Sequence, residues 1–141
     1  MPTSPPQVNA FILCDQAFQQ AHTGKWCVIG AFGVVWVREF PAVAAPFMVF
    51  IDLSDFSGDT SLQISVRDNV GVVLHATRGQ LPKLPMGMIE FAMPVPPVKF
   101  EREAVYSIEL IANDQILSVR SFQVKKAPPQ PQPGQNPPGK P

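Results

Sequence analysis

Residues 60–67 read Thr-Ser-Leu-Gln-Ile-Ser-Val-Arg, and from position 61 onward polar and apolar side chains alternate without a break. A period of two is typical of a β-strand with one buried face and one solvated face. The next residues, Asp68-Asn69-Val70-Gly71, predict a tight turn, because Gly71 can adopt a positive φ and Asn69 tolerates one. Residues 72–77 are therefore expected to return as the partner strand of a hairpin.

Short apolar segments of the same kind recur in both directions from this hairpin, and Pro or Gly interrupts them roughly every ten residues, as in all-β domains. Further strands are predicted at residues 8–14, 26–32, 34–38, 47–53, 87–93, 104–112 and 116–124. We expect residues 34–38 to continue the strand of residues 26–32 after a kink, and residues 16–21 to form a brief helical turn or a long hairpin arm. The prolines around residues 42–45 and within residues 81–85 predict irregular crossings, and those after position 93 end a strand.

These strands are too many for a stable single sheet with one wet face, so they are expected to fold over into two layers. The sequence predicts an all-β protein: a two-sheet antiparallel sandwich, immunoglobulin-like in architecture, with about 7–9 strands. The side chains expected to close the dry layer between the sheets are Leu62, Ile64, Val66, Tyr106, Ile108 and Leu110.

Two local irregularities are expected inside strands. In residues 116–124 the apolar side chains fall at odd positions for Leu117 and Val119, then at even positions for Phe122 and Val124. A one-residue slip reverses every side chain, so we predict a bulge near residues 120–121 that keeps both pairs inside. Gly30 and Gly33 lie in or beside a strand, where glycine marks a bulge or a close backbone approach.

The composition divides the chain into a flexible N-terminus at residues 1–7, a β-sandwich domain at residues 8–126 and a disordered proline-rich tail at residues 127–141. The tail cannot bury apolar surface and is expected to sample extended polyproline conformations. We interpret it as a tether or spacer. The alternative is a ligand for a proline-reading groove, because Pro128 and Pro131, and again Pro138 and Pro141, have the required spacing.

Charge and composition exclude several classes of function. The 11 basic and 11 acidic residues cancel, and the basic residues are scattered, so nucleic-acid binding is not expected. The N-terminus has prolines where a secretory signal has an apolar run, and no apolar stretch is long enough for a membrane helix. We therefore expect a cytoplasmic protein without membrane contact. In that compartment Cys14 and Cys27 are expected as reduced, buried thiols, although a hairpin could also bring them close enough for a disulfide.

A few polar residues are candidates for chemistry. Asp52, Asp55 and Asp59 lie in or next to one loop, and calcium prefers several oxygen ligands. Their spacing differs from the known helix–loop–helix calcium motif, so an ordinary solvated loop is the simpler interpretation. His75 is expected on the outer face of its strand and His22 in a loop. Neither is accompanied by a serine or cysteine in the sharp strand–turn–helix setting of a catalytic nucleophile. No catalytic, cofactor-binding or metal-binding residues are assigned, and no cofactor is expected.

An excess of apolar residues indicates a second kind of surface. Phe56 lies in a polar loop, and Met86 and Met88 accompany Ile89 and Phe91 in one strand region. Such an excess marks either an exposed docking patch or a strand that is buried on both faces.

Residues 9–15, Asn-Ala-Phe-Ile-Leu-Cys-Asp, and residues 24–32, Gly-Lys-Trp-Cys-Val-Ile-Gly-Ala-Phe, resemble the opening motifs of an uncharacterised bacterial family. Residues 40–42 and 47–50 are similar to the middle motif of that family. The resemblance covers roughly residues 8 to 125 and leaves the tail out. It implies a small β-sandwich of unknown function and no assigned active site.

The leading hypothesis is therefore a non-enzymatic interaction module that binds a protein partner through a sheet face or edge, with the tail as a flexible tether. The alternatives are a calcium-dependent ligand-binding module that uses Asp52, Asp55 and Asp59, and a hydrolytic enzyme. The sequence does not determine the oligomeric state.

Overall fold

The computed structural model describes residues 5–55, 59–82 and 87–129, and the regular structure in these residues is entirely β-strand. The strands are β1 (Gln7–Gln19), β2 (Trp26–Ala31), β3 (Val34–Val37), β4 (Ala42–Val43), β5 (Phe47–Ser54), β6 (Thr60–Arg67), β7 (Val73–Leu81), β8 (Ile89–Val95), β9 (Lys99–Phe100), β10 (Ala104–Ala112) and β11 (Gln115–Lys126). The described part of the chain has no helix that is long and apolar enough to cross a membrane.

Two sheets pack face to face. The first has the strand order β2-β1-β5-β8 and the second has the order β3-β11-β10-β6-β7, while β4 and β9 form a separate two-residue ladder. Neighbouring strands are antiparallel except β3 and β11, which are parallel. The predicted all-β sandwich is confirmed, and the nine strands of its two sheets agree with the predicted number.

The order of the strands is that of an immunoglobulin-like fold. In the second sheet β6, β10 and β11 occupy the places of the C, F and G strands, and β7 adds a further strand beside β6 as in variable-type domains. Tyr106, near the start of β10, donates a hydrogen bond of 2.6 Å from its hydroxyl to the Arg102 carbonyl oxygen. A tyrosine that bonds back to the chain at this corner is characteristic of such sandwiches.

The interior is formed by the alternate residues of the central strands. All six side chains predicted to close the dry layer are at most 3% exposed. From the other sheet, Leu13, Val49 and Ile51 pack against them. The rings of Phe100, Tyr106 and Phe122 form a cluster with centroid separations between 4.7 and 6.1 Å, which links β9 to the second sheet.

The first hairpin differs from the prediction. β1 does not end at residue 14 but continues to Gln19, so the long hairpin arm forms and the helical turn does not. β5 pairs with the first half of β1 and β2 with the second half. Yet the ring of Trp26, at the far end of the hairpin, lies 5.6 Å from the ring of Phe50. The hairpin therefore bends back over the outer face of the first sheet, and this covers Phe50.

Residues 34–38 also differ from the prediction, because they do not continue the strand of residues 26–32. β2 lies in the first sheet, whereas β3 crosses to the second sheet and runs parallel to β11. Gly33 lies at the crossing, and its carbonyl oxygen accepts a hydrogen bond of 2.9 Å from the Gln123 amide. Neither strand can therefore be an extension of the other.

Two smaller predictions are wrong in position. The register between β10 and β11 shifts at Leu117, which has no direct partner, and not at residues 120–121. Val119 is 51% exposed, so the bulge does not bring both apolar pairs inside. In addition, Pro94 does not end β8 but lies within it, opposite Met48. This is allowed because β8 is an edge strand, where proline's missing donor can face solvent.

Candidate functional site

A groove of about 620 Å³ runs along β3 at the end of the second sheet. Most of its lining comes from two segments, namely β3 with the two residues that follow it, and residues 42–47. Asp15 and Phe32 complete the lining. Among the described strands β3 is the last in its sheet order, so the groove lies against a strand that has a described neighbour on one side only.

The hydrogen bonds of β3 show which backbone groups face the groove. The carbonyl oxygens of Gly33 and Val37 accept bonds from β11 and the residue after it, at 2.9 and 2.7 Å. Successive residues of an extended strand direct their N–H and C=O groups to alternate sides. The backbone groups of Val34 and Trp36 therefore point away from β11, toward the free edge.

The side chains at this edge are unusually apolar for a surface. Trp36 is 58% exposed and Val43, in the second lining segment, is 66% exposed. Val37 is buried and Val35 packs against the core, so the alternation of β3 places Trp36 on the side away from the interior. The charged side chains of the lining are Asp15, Arg38 and Glu39. Together these features form an apolar groove with a charged margin.

A second groove, of about 420 Å³, adjoins the first and shares Asp15, Pro46 and Phe47 with it. Its other lining residues include Phe18, which is 44% exposed on the β1 arm, and Pro94 of β8. The apolar surface therefore continues from β3 around the adjacent end of the first sheet.

The two cysteines are free thiols and do not face each other. Cys14 pairs with Ala31 across the hairpin, and Cys27 pairs with Phe18. Cys14 is buried, and its thiol contacts the Met48 carbonyl oxygen at 3.6 Å. Burial, and next the nearby charge of Asp15, raise the pKa of the Cys14 thiol, while a backbone hydrogen bond at Phe50 lowers it by a smaller amount.

The predicted acidic loop is only partly described, because residues 56–58, with Phe56, lie outside the described residues. Asp52 is half-buried and accepts a hydrogen bond of 3.4 Å from the Asn9 amide, whereas Asp55 and Asp59 are exposed. Within residues 5–55, 59–82 and 87–129, no three His, Cys, Asp or Glu side chains are grouped so that they could hold a metal ion.

The histidines lie apart from the groove. His22 is exposed in the turn after β1. His75 pairs directly with Val66, which is fully buried, and its Nε2 lies 2.6 Å from the Thr77 hydroxyl. Residues directly opposite each other across a ladder share a face, so the prediction of an outward-facing His75 is wrong.

The predicted apolar excess near β8 is resolved in part. Met88 is 56% exposed, while Ile89 and Phe91 are half-buried and pack against the core. Ile89, Phe91 and Met93 line a smaller groove of about 270 Å³ at the edge of the sandwich. Met86 lies outside the described residues, and so do all prolines of the tail after Pro129.

Sequence reasoning missed the groove beside β3. A signal was present: Trp36 stands between Val35 and Val37, so in a strand it must point away from the side chains of both. The signal was not decisive, because the same alternation would bury Trp36 if β3 were a central strand of a different sheet.

In the comparison with known proteins, one protein-family model matches the chain. That model is described as a family of unknown function, DUF6941, and it matches residues 9–125. No curated protein is found to match the chain.

Three solved structures are similar in part. An immunoglobulin-like protein from Pseudomonas aeruginosa has a TM-score of 0.44 and 14% identity, over 86% of this chain and 98% of that protein. A glycosyl hydrolase family 2 member from Bacteroides cellulosilyticus has a TM-score of 0.44 and 10% identity, over 60% of this chain and 14% of that protein. A β-glucuronidase from Bifidobacterium dentium, complexed with coumarin-3-O-glucuronide, has a TM-score of 0.42 and 12% identity, over 84% of this chain and 18% of that protein. The chain thus spans less than a fifth of the latter two.

Proposed function

The chain belongs to DUF6941, a family of unknown function, and we propose that it is a non-enzymatic module that binds an extended segment of a protein partner along the free edge of β3. The observation that carries this proposal is the combination of a strand edge that pairs with no other described strand and an exposed Trp36 in the same groove. Strand addition uses such an edge for affinity and the neighbouring side-chain pockets for specificity.

The magnitudes favour a weak and reversible interaction. Val34 and Trp36 offer two N–H and two C=O groups, and hydrogen bonds to all four contribute about 2–6 kcal/mol in total. Association costs at least about 4 kcal/mol in lost translational and rotational freedom, so these backbone hydrogen bonds alone do not hold a partner. Burial of Trp36 and Val43 must supply the remainder, at about 1.5–3 kcal/mol for a large side chain. We therefore expect an affinity that is micromolar at best.

The partner is proposed to be a protein rather than nucleic acid or a membrane. The formal net charge is zero, and the charged residues that line the groove are of both signs. A phosphate backbone is held by a concentration of Lys and Arg, which this surface does not present. No observation among the described residues favours the calcium-dependent or the hydrolytic alternative.

A peptide selection followed by two matched variants tests the proposal. Random dodecapeptides displayed on phage are selected against the full chain, and calorimetry measures the affinity of the enriched sequences. Val34→Pro removes the outward N–H, which an edge strand tolerates, whereas Val34→Ala shortens the same side chain and keeps the donor. We expect Val34→Pro to weaken binding at least about tenfold, equivalent to one or two lost hydrogen bonds, and Val34→Ala to weaken it far less. Equal affinities of the two variants, or the absence of any enriched peptide, would reject strand addition.

We also propose a reducing, cytoplasmic location for this module. The support is that Cys14 and Cys27 are both free thiols, and free thiols persist best in a reducing compartment. Fractionation of bacteria that express the full chain tests the location, and recovery outside the cytoplasmic fraction would contradict it.

A further inference from the structure

We infer that the second groove takes an arginine side chain of the partner segment, and that Asp15 binds the guanidinium group of that side chain. This inference deepens the proposed function and rests on it, because it names one residue that the partner brings to the site. The charge of the second groove, its apolar surface and its junction with the groove beside β3 each point to this ligand.

The charge in the second groove is a single carboxylate. Among the described residues that line this groove, Asp15 alone is charged. Asp15 is exposed, and within the described part of the chain its carboxylate forms no ion pair or hydrogen bond. Arg38 lines the groove beside β3 but not the second groove, and it does not pair with Asp15. The second groove therefore attracts a cationic ligand.

The rest of the lining suits the long stem of a basic side chain. Phe18 and Pro94 are exposed, and Met48 is half-buried. Basic side chains bury their methylene stems on apolar surface while the charged end stays at a polar group. The groove volume of about 420 Å³ lies within the range of about 300–1,000 Å³ that is typical of ligand sites. A purely aliphatic side chain would fill the same space but leave the Asp15 carboxylate without a partner.

Arginine fits this groove better than lysine does. Its planar guanidinium group can donate to both oxygens of a carboxylate, and it can also stack on the face of an aromatic ring. Asp15 and Phe18 line the same groove, and the Phe18 ring is 44% exposed. The groove therefore offers both of the partners that a guanidinium group uses, whereas an ammonium group binds the carboxylate as a point charge.

Asp15 lies where the two grooves meet. It lines both of them, together with Pro46 and Phe47. Its side chain lies against β2, because it occupies the position that a Cβ at Gly30 would take. A segment that pairs with the free edge of β3 and continues into the second groove thus passes the Asp15 carboxylate. This junction joins the backbone pairing of the proposed function to the recognition of one side chain.

Titration of the full chain with N-acetyl-arginine amide, followed by nuclear magnetic resonance, tests the subsite without a partner protein. We expect the amide resonances of Gln16 and Phe18 and the methyl resonance of Met48 to shift until they saturate. N-acetyl-citrulline amide has nearly the same shape without the charge, and it should bind about three- to fivefold more weakly, as expected for a surface ion pair. Equal binding of these two probes would overturn the inference. N-acetyl-lysine amide should also bind more weakly, and equal binding would overturn the choice of arginine.

A pair of protein variants locates the charge that the probe recognises. Asp15→Asn keeps the shape of the side chain and removes its charge, so it should weaken binding of the arginine probe about three- to fivefold. The arginine and citrulline probes should then bind this variant alike. Glu90→Gln is the matched control, because Glu90 is an exposed carboxylate of β8 that lines neither groove, and the affinity should be unchanged. Equal losses in the two variants would show an effect of net charge and contradict a site at Asp15.

The dodecapeptides selected against the full chain provide the functional readout. We expect the enriched sequences to share an arginine at a constant position, and replacement of that arginine by glutamine should weaken binding about three- to fivefold. In Asp15→Asn the same replacement should have almost no effect, because the two changes remove the same interaction. Additive losses would show that the arginine binds elsewhere.

The two proposals fail in different ways, because the single-residue probes do not need the edge of β3. If Val34→Pro weakens peptide binding while the arginine and citrulline probes bind alike, strand addition holds and the arginine subsite is wrong. If the arginine probe depends on Asp15 while Val34→Pro and Val34→Ala bind the peptides alike, the subsite holds and strand addition is wrong.

Discussion

At Gly30 the backbone adopts a φ of 71°, and the Asp15 side chain lies across the position that a Cβ would occupy. A Cβ built there would be 2.8 Å from the Asp15 Cγ. The sequence predicts a bulge or a close backbone approach at this glycine, and the structure shows a close approach. Which residue approaches Gly30 depends on the register of the hairpin, and residues 24–32 alone do not determine that register.

Gly30→Ala is expected to lower the free energy of unfolding by about 1–3 kcal/mol, because a residue with a Cβ is strained at this φ. Urea denaturation followed by circular dichroism measures the change. Gly33→Ala is the matched control, since Gly33 has open space around it and no positive φ, and it should alter stability by less than about 0.5 kcal/mol. Equal losses in the two variants would show that neither φ nor the Asp15 contact matters.

The two thiols are expected to differ in reactivity. Cys14 is buried and its pKa is raised, so at neutral pH it holds less of the reactive thiolate than an ordinary cysteine does. Cys27 is half-buried. A thiol reagent should therefore modify Cys27 at least about tenfold faster than Cys14, as followed by mass spectrometry of Cys27→Ser and Cys14→Ser. Denaturant should make the two rates equal, and equal rates in the native protein would contradict the burial of Cys14.

At the scale of the elements, the hairpin between β10 and β11 shows how a turn is tied to a third strand. Its two central residues, Asn113 and Asp114, have φ values of 47° and 65°. Asn113 also exchanges two hydrogen bonds of 3.0 Å with Ser61, one through its backbone N–H and one through its side-chain oxygen. The sequence predicts the strands on both sides of this turn, at residues 104–112 and 116–124, but the link to Ser61 exists only because β6 lies beside β10.

Replacing each turn residue by glycine separates the effect of the positive φ from that of the side-chain hydrogen bond to Ser61. Asn113→Gly keeps the favourable φ and removes the side-chain acceptor for Ser61, so it should cost about 0.5–1.5 kcal/mol. Asp114→Gly relieves the φ without loss of that bond, and stability should be unchanged or raised by up to about 1 kcal/mol. Thermal unfolding compares the two. A loss in Asp114→Gly as large as that in Asn113→Gly would contradict this division.

The bulge in β11 shows where pattern reasoning lacks precision. The change in apolar phase between Val119 and Phe122 correctly predicts that the register shifts within the strand. The shift occurs earlier, at Leu117, because Val119 pairs with Glu109 on the exposed side and need not be brought inside. The change in the apolar alternation indicates that a bulge exists. The position of the bulge depends on which apolar residue the fold leaves in solvent.

At the scale of the whole molecule, stability depends on side chains that join segments distant in sequence. Phe122 of β11 is 1% exposed and contacts the rings of Phe47, Phe100 and Tyr106. Phe47 belongs to the first sheet, so this cluster couples the two layers.

Phe122→Ala is therefore expected to lower the free energy of unfolding by about 3–5 kcal/mol, through lost burial and the cavity that remains. Val119→Ala, on the same strand but exposed, should change it by less than about 0.5 kcal/mol. Guanidinium denaturation of both variants checks the difference. Similar small losses would mean that the aromatic cluster does not hold the sheets together.

The candidate site also exists only at this scale. Its lining combines Asp15 from β1, the whole of β3 and residues 42–47, which are separated along the chain and belong to different layers. Residues 42–47 contain alanine, valine, proline and phenylalanine without any chemical motif. Their place in the lining follows from β3 crossing to the second sheet.

By itself the sequence determined the fold class, the central strands and the core side chains. Strict alternation in residues 61–67 and 106–110 leaves one arrangement in which every apolar side chain of these two segments is buried. Only the tertiary structure decided that β3 crosses between sheets, that the first hairpin bends over Phe50 and that Trp36 is left at an open edge. The physical reason is that periodicity records which face of a strand is dry. Which strands lie side by side is decided by long-range hydrogen bonding and packing, and the site arises where one such neighbour is missing.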